Sequence, residues 1–340
     1  MNTARARFLR ITGCLIAALT LASLAPMAGA LAQSAPVKLR AAYLKSLSFS
    51  PLYLALEKKY FEAEGVEIEL DIVQSASDVV AFLGLGKLDL AFGNIGAPLF
   101  NAGERGIDVK IVAAMSYYPA DRATLSPAPV LARKSLVESG VVKSLADLRG
   151  RKIAFNTRGG VIEYLVGGAA RRAGMAISDF DVVTMGFPNM APALANGAID
   201  AAVLPEPLAT AAREQSIAAV LDPNPLPGAL ATVLMFGPSL LDSAGSDRAA
   251  RVLRALRRAA AELSSPAAIM SAENAPVWAK HTELPAALVA KTAPYVFDPR
   301  LGVSMSDLAR QQDFLRESGQ IPGTLPLDKI LDRRLAIEIP

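Results

Sequence analysis

The chain has 340 residues, of which 52% are hydrophobic, and it carries 35 Lys and Arg against 32 Asp and Glu. It has one cysteine, Cys14, and one histidine, His281, so it lacks the cysteine and histidine clusters that bind zinc. The nearly balanced charge also argues against a nucleic-acid partner, because nucleic-acid binding needs a basic face. We therefore predict no metal site, no cofactor and no bound nucleic acid.

The first 32 residues have the order of a secretory signal peptide. Three arginines within the first ten residues precede an apolar run, 11–24, which is too short to span a bilayer. Ala30-Leu31-Ala32 fits a small-residue cleavage site, so we expect cleavage after Ala32 and export to the periplasm. Cleavage removes three of the 35 basic residues and no acidic one, leaving 32 of each and no cysteine.

The first third of the chain alternates predicted strands and helices. Alternating or continuous apolar residues indicate the strands, whereas Pro at a helix start and Gly at a helix end delimit the helices. The predicted strands are 37–43, 66–73, 88–92 and 109–115, and the predicted helices are 50–64, 78–85 and 97–105. Strands separated by helices of this length are typical of parallel βαβ units.

A second series of alternating elements follows, and from about residue 249 the chain is predicted to be mostly helical. Its predicted strands are 130–133, 152–155, 182–185, 199–204 and 229–236, and its predicted helices are 144–150, 161–173, 190–195 and 207–215. The segment 85–91 recurs as 196–202, each with a Gly, then Asp89 or Asp200, then a buried strand. This similarity indicates either a common turn or two lobes of like topology, in which each Asp satisfies backbone donors.

Several of these segments together resemble the nitrate/sulfonate/taurine-type substrate-binding proteins of ABC importers, a family that also includes binders of thiamine-pyrimidine precursors. The similar segments are SPLYLA at 50–55, GKLDLA at 86–91, SLADLRGRKIA at 144–154, GAIDAAV at 197–203 and Glu206-Pro207. The resemblance implies an α/β, two-lobed periplasmic-binding-protein fold of type II. Its lobes would be 36–120 plus 235–340, and 126–233.

The resemblance also implies two crossovers between the lobes, which form a hinge. Prolines crowd both places in this chain, at 119–129 and at 223–227, and such segments punctuate secondary structure. The implied function is capture of a small anionic ligand, such as a sulfonate or carboxylate, by closure of the lobes. A monomer would then deliver the ligand to an inner-membrane permease with its ATPase.

Two alternatives to this function remain open. A ligand-reporting protein that docks on a sensor would have the same fold. An enzyme resembling those that make thiamine pyrimidine needs iron chemistry rich in histidine and cysteine, which this composition does not provide. We therefore predict a binding protein without catalytic activity.

The ligand-binding residues are expected in loops beyond the carboxyl ends of the strands, where open α/β sheets bind ligands. In the first lobe these are Ser48 and Phe49, Asn94, and Tyr117, which forms either a wall of the site or hinge packing. In the second lobe, Asn189 is a further candidate. The resemblance places Glu206 in the cleft, where it holds a ligand amine or hydroxyl or else caps its helix.

The loop 156–160 is the most specific candidate. It comprises Asn156, Thr157, Arg158, Gly159 and Gly160 and leads into the helix predicted at 161. A helix N-terminus presents unpaired N–H groups and a partial positive charge, and an arginine adds a forked donor for an anion. The pattern therefore predicts an anion-binding loop, and its alternative is a surface arginine beside an ordinary helix start.

Overall fold

The computed structural model of the chain describes residues 35–73 and 76–340, so the predicted signal peptide lies outside the described residues. The strands are β1 (Val37–Tyr43), β2 (Val66–Ile72), β3 (Leu90–Gly93), β4 (Lys110–Tyr117), β5 (Val130–Arg133), β6 (Lys152–Phe155), β7 (Asp181–Thr184), β8 (Ala201–Val203), β9 (Ala218–Asp222), β10 (Leu230–Phe236), β11 (Val303–Ser304) and β12 (Glu338–Ile339).

Helices cover the faces of the sheets, and after β10 they are the main regular secondary structure. They are α1 (Ser50–Glu57), α2 (Tyr60–Ala63), α3 (Ala76–Gly84), α4 (Ala97–Glu104), α5 (Lys134–Glu138), α6 (Val161–Arg172), α7 (Phe187–Ala195), α8 (Leu208–Glu214), α9 (Pro238–Leu241), α10 (Ser246–Glu262), α11 (Pro266–Ile269), α12 (Ala275–Thr282), α13 (Ala286–Val289) and α14 (Met305–Glu317). Among the described residues, no helix combines the length and apolarity needed to cross a bilayer.

Two five-stranded sheets share one arrangement. The first has the order β2-β1-β3-β10-β4 and the second the order β7-β6-β8-β5-β9. In each sheet the fourth strand is antiparallel to both of its neighbours, and the other pairings are parallel. Each antiparallel strand is the one that enters its sheet directly after a crossover. The predicted two-lobed α/β fold is therefore confirmed.

The two Asp residues of the internal similarity occupy equivalent places. Asp89 accepts a hydrogen bond from the backbone N–H of Arg40 at 2.8 Å, and Asp200 accepts one from the backbone N–H of Lys152 at 3.1 Å. In return, each Asp N–H donates to the carbonyl of the same residue, Arg40 or Lys152, at 2.9 Å. The repeated sequence thus performs the same role at the start of a buried strand in both sheets. Of the two explanations for this repeat, a common turn or two lobes of like topology, the structure supports the second.

The two crossovers are tied to each other. The backbone N–H of Ser126 donates to Pro223 at 2.7 Å, and that of Gly228 donates to Pro119 at 3.0 Å. Asn224 is fully buried, and its side-chain amide donates to the carbonyls of Pro119 and Asp121, both at 2.9 Å. The proline-rich segments therefore run side by side as a hydrogen-bonded pair. The lobe limits given above remain a proposal.

The core lies between the sheets and their helices. All seven residues of β10 are buried, because strands flank it on both sides and helices cover its faces. Helix α10 packs its apolar side on α1 and α2. Trp278 is fully buried, and its indole N–H donates to the carbonyl of Ile269 at 2.8 Å. Strand β9 and the small parallel pair β11–β12 were not predicted from the sequence.

Candidate functional site

A cavity of about 330 Å³ lies at the carboxyl ends of both sheets. In the first lobe, it is lined by the loops that follow β1, β2, β3 and β4, and in the second lobe by the loops that follow β6, β7 and β8. Parallel strands bring their carboxyl ends to the same edge, so these separate loops converge. The lining includes five of the predicted site residues: Ser48, Phe49, Asn94, Asn156 and Glu206.

The loop after β1 forms a rigid polar edge of the cavity. The hydroxyl of Ser48 donates to that of Ser46 at 3.0 Å, and the backbone N–H of Ser46 donates to the hydroxyl of Tyr53 at 3.2 Å. Burial raises the pKa of Tyr53 well above its usual range, so this hydroxyl stays protonated and also donates to the carbonyl of Ser46 at 3.0 Å. His281 stacks on the Tyr53 ring with centroids 4.6 Å apart, and it supports the loop from behind.

Aromatic rings form much of the cavity wall. Phe49 and Phe187 line it from opposite lobes, and Tyr118 and Tyr295 line it as a tilted pair with centroids 5.8 Å apart. Tyr117 does not line the cavity, because its hydroxyl donates to the carbonyl of Gly302 at 2.6 Å and accepts from the backbone N–H of Ser304 at 2.9 Å. Tyr117 thus packs against the C-terminal segment, whereas the adjacent residue, Tyr118, forms part of the cavity wall.

Polar groups face the cavity from both lobes. Asn94 follows β3 directly and Asn156 follows β6 directly, so each lobe contributes one amide at the end of a buried strand. Thr232 of β10 and Thr282 of α12 also line the cavity, where their hydroxyls already bond to Ser116 at 2.6 Å and to the carbonyl of Trp278 at 2.7 Å. An amide both donates and accepts hydrogen bonds, so these side chains can match a ligand with mixed polar edges.

Glu206 is fully buried beside the cavity, and hydrogen bonds to other residues of the protein use most of the capacity of its carboxylate. Its carboxylate accepts from the backbone N–H of Thr210 at 2.9 Å, from the hydroxyl of Thr210 at 2.8 Å and from the backbone N–H of Ala293 at 3.3 Å. Arg213 lies 3.6 Å away. Desolvation raises the pKa of Glu206 above its ordinary value. Glu206 therefore caps α8 and also joins the second lobe to the first.

The lining offers an anion no unpaired cation among the described residues. Lys45 is the cation in the lining, and its Nζ lies 2.5 Å from a carboxylate oxygen of Glu283. The charge of Glu206 is partly balanced by Arg213. The cavity is therefore close to electrically neutral, and most of its wall consists of aromatic and aliphatic side chains.

Most of the predicted anion-binding loop lies outside this cavity. The side chain of Arg158 is 44% exposed, and its guanidinium lies 3.0 Å from a carboxylate oxygen of Glu163, which is itself fully buried. The other oxygen of Glu163 accepts from the backbone N–H of Gly159 at 2.6 Å. Thr157, Arg158, Gly159 and Gly160 instead line a narrow cleft of about 20 Å³ against the segment 94–99. Glu163 therefore already pairs with the arginine and one backbone N–H of the loop, and an external anion would have to compete with it there.

Asn189 also lies outside the cavity, in the first turn of α7, where it is exposed. Its neighbours Phe187 and Pro188 line the cavity instead. The sequence reasoning missed the contributions of the C-terminal part of the chain, Thr282, Leu284 and Tyr295. No motif marks these residues, because the chain returns to the cavity only through the tertiary arrangement of α12 and the segment after α13.

Two lobes joined by paired crossovers, with a cavity at their facing strand ends, define the periplasmic-binding-protein fold. Similar solved structures include the alkanesulfonate-binding protein SsuA from Xanthomonas axonopodis pv. citri bound to MOPS, with a TM-score of 0.68, 21% identity, and coverage of 89% of this chain and 99% of that one. The periplasmic nitrate-binding protein NrtA from Synechocystis PCC 6803 has a TM-score of 0.64, 15% identity, and coverage of 88% and 87%.

Residues 46–267, more than half of the chain, match the family described as NMT1/THI5 like, and the chain belongs to that family. The predicted family relationship is therefore confirmed. A curated relative, the 4-amino-5-hydroxymethyl-2-methylpyrimidine phosphate synthase of Aspergillus parasiticus, is 28% identical over 45% of this chain and 41% of its own length. The riboflavin-binding protein RibY of Chloroflexus aurantiacus is 28% identical over 54% and 50%. The chain thus spans half or less of these relatives' lengths.

Proposed function

We propose that the protein is the periplasmic solute-binding component of an ABC importer. It captures a small organic molecule in the 330 Å³ cavity and, as a monomer, delivers it to an inner-membrane permease and its ATPase. The observation that carries this proposal is that loops from both lobes line one cavity, while hydrogen-bonded crossovers join the lobes. The predicted signal peptide supports export, and the fold shared with periplasmic binding proteins supports the same location.

The proposed mechanism is closure around the ligand. A molecule that contacts Asn94 in the first lobe and Asn156 in the second favours the form in which the two amides lie close together. The ligand shifts the equilibrium by no more than its difference in affinity for the closed and open forms. The paired crossovers absorb the rotation while each sheet stays rigid.

We further propose that the ligand is an uncharged heteroaromatic molecule rather than the anion predicted from Arg158. The aromatic wall supports a planar ligand, and the amides and hydroxyls match ring nitrogens and exocyclic polar groups. A sulfonate or carboxylate buried here would lack a cationic partner, which is unfavourable. The names of two curated relatives contain such heteroaromatic compounds, a methylpyrimidine and riboflavin.

Isothermal titration calorimetry tests both proposals, with 4-amino-5-hydroxymethyl-2-methylpyrimidine, riboflavin, taurine, benzoate and nitrate as probes. We expect a heteroaromatic probe to bind and Phe187→Ala, which truncates a half-buried ring in the lining, to weaken its binding about fivefold to tenfold, because the further burial of that ring is worth roughly 1–1.5 kcal/mol. Asn189→Ala, at an exposed position outside the cavity, is the matched control and should bind normally. Binding of an anion that Arg158→Ala abolishes and Phe187→Ala leaves intact would establish the anionic alternative instead.

The two alternative functions differ in their requirements. A sensor-docking protein would bind the same ligands. Deletion of the cognate permease would abolish ligand uptake if the protein serves an importer, whereas it would leave signalling intact if the protein serves a sensor. An enzyme of the kind named for the curated relatives is less favoured, because the described residues that line the cavity include neither histidine nor cysteine.

A further inference from the structure

We infer that a contact outside the cavity, between Gly96 of the first lobe and Gly159 of the second, sets ligand affinity by stabilising the closed form. The backbone N–H of Ala97, the first residue of α4, donates to the carbonyl of Gly159 at 2.9 Å. Neither Gly96, Ala97 nor Gly159 lines the 330 Å³ cavity. The contact therefore links the lobes without touching the captured molecule.

The second lobe presents this carbonyl in a fixed direction. Gly159 has φ of +66°, a conformation that a residue with a side chain rarely adopts. Its own N–H donates to the buried carboxylate of Glu163 at 2.6 Å, and Arg158 holds that carboxylate from the other side. The carbonyl of Gly159 is thereby aimed away from α6 and towards the first turn of α4. The glycine loop that was predicted to bind an anion thus accepts a hydrogen bond from a backbone N–H of the other lobe.

The first lobe needs a glycine at the point of contact. A Cβ placed on Gly96 would lie 2.8 Å from the carbonyl oxygen of Gly159, closer than real Cβ atoms approach a backbone oxygen. Gly96 itself has extended backbone, with φ of −168° and ψ of 173°, so alanine suits its conformation. Within the first lobe, the nearest atom to that Cβ is in Pro98 at 3.6 Å, an ordinary contact. Gly96→Ala therefore opposes closure while leaving the separate lobe unstrained.

Ala97→Pro is a second, independent way to remove the contact. Proline has no N–H to donate to Gly159, and it is favoured in the first turn of a helix, where that N–H has no partner within the helix. The extended backbone of Gly96 is also the conformation that a residue before proline prefers. Both variants should therefore fold, and both should lose the same hydrogen bond between the lobes.

Single-molecule fluorescence energy transfer measures closure directly. The sequence after residue 32 has no cysteine, so Asp71→Cys and Thr184→Cys supply two unique labelling sites at exposed ends of the edge strands β2 and β7. In ligand-free protein we expect a measurable closed fraction, and we expect Gly96→Ala and Ala97→Pro each to lower the closed-to-open ratio about tenfold. Gly323→Ala, where a Cβ meets nothing within 4 Å, is the matched control and should match wild type.

Only the consequence for affinity rests on the proposed function. Both variants should weaken binding of whichever probe binds wild type about tenfold, through faster dissociation, and the order of preference among probes should stay the same. Equal closed fractions in wild type and both variants, or no closed fraction in ligand-free wild type, would overturn the inference. A wild type that closes normally but binds none of the probes would instead count against the proposed function alone.

Discussion

Replacing Glu206 with glutamine tests how a buried carboxylate joins the two lobes. The carboxylate accepts three hydrogen bonds, two from Thr210 and one from Ala293. A glutamine keeps one acceptor oxygen and replaces the other with an NH₂ group. That group can donate to the hydroxyl of Thr210, which is able to accept. It cannot accept from a backbone N–H, so one backbone donor loses its partner.

The bond to Ala293 is the one most readily lost, because at 3.3 Å it is the longest of the three. An unsatisfied buried donor costs about 1–3 kcal/mol. We therefore expect Glu206→Gln to lower the free energy of unfolding by about 1–2 kcal/mol at pH 5. Urea denaturation followed by the fluorescence of Trp278, the single tryptophan in the chain, measures this change.

The pH dependence gives the same experiment a second readout. Burial raises the pKa of Glu206, so the folded state binds its proton more tightly than the unfolded state, whose pKa is about 4.3. The resulting stability is fully present below the unfolded pKa and is lost as pH rises through the folded pKa. Glutamine does not titrate, so the stability difference between wild type and variant should shrink between pH 5 and pH 8. A difference that grows with pH, or no difference at any pH, would refute this account of Glu206.

Three further substitutions test how the lobes and crossovers are held. Asn224→Ala leaves two crossover carbonyls without their buried donor and should cost about 2–3 kcal/mol in urea denaturation. Asp307→Asn disturbs a fully buried carboxylate that accepts hydrogen bonds from both lobes. It should lower the free energy of unfolding by about 2–4 kcal/mol in the same assay, and an unchanged denaturation midpoint would contradict this. Gly167→Ala brings a Cβ to 2.3 Å from the Phe314 ring and should lower stability by about 1–3 kcal/mol, whereas Gly323→Ala should not.

Strand periodicity predicted most of the sheet framework, because buried strands in βαβ units leave short apolar runs between helix boundaries. β9 was missed because its short apolar run, AAVL, begins three residues after the predicted helix 207–215, and such a run fits the continuation of a helix as well as it fits a strand. Its strand conformation depends on pairing with β5, more than 80 residues earlier in the chain. The pair β11–β12 is likewise set by a long-range contact between two short segments.

The site could be predicted only in loops that follow predicted strands. Asn94, Asn156 and Glu206 lie within two residues of such a strand end and line the cavity, whereas Tyr295 belongs to no repeating pattern and reaches the cavity through packing against Tyr118. The choice between Tyr117 and Tyr118 depends on which of two adjacent side chains faces inward at the end of β4. Register irregularities between β4 and β10 occur at this point, so alternation along the strand could not decide it.

The glycine loop shows why residue types alone do not identify an anion site. A helix N-terminus, two glycines and an arginine are the groups that bind an anion, but they are equally able to bind a carboxylate of their own chain. Glu163, in the first turn of α6, accepts from one N–H of the loop and pairs with Arg158. The carbonyl of Gly159 in turn meets the N-terminus of α4 in the other lobe. The partial positive charge at that N-terminus favours a carbonyl oxygen, so the sequence pattern that indicates binding of an anion serves here to bind one lobe to the other.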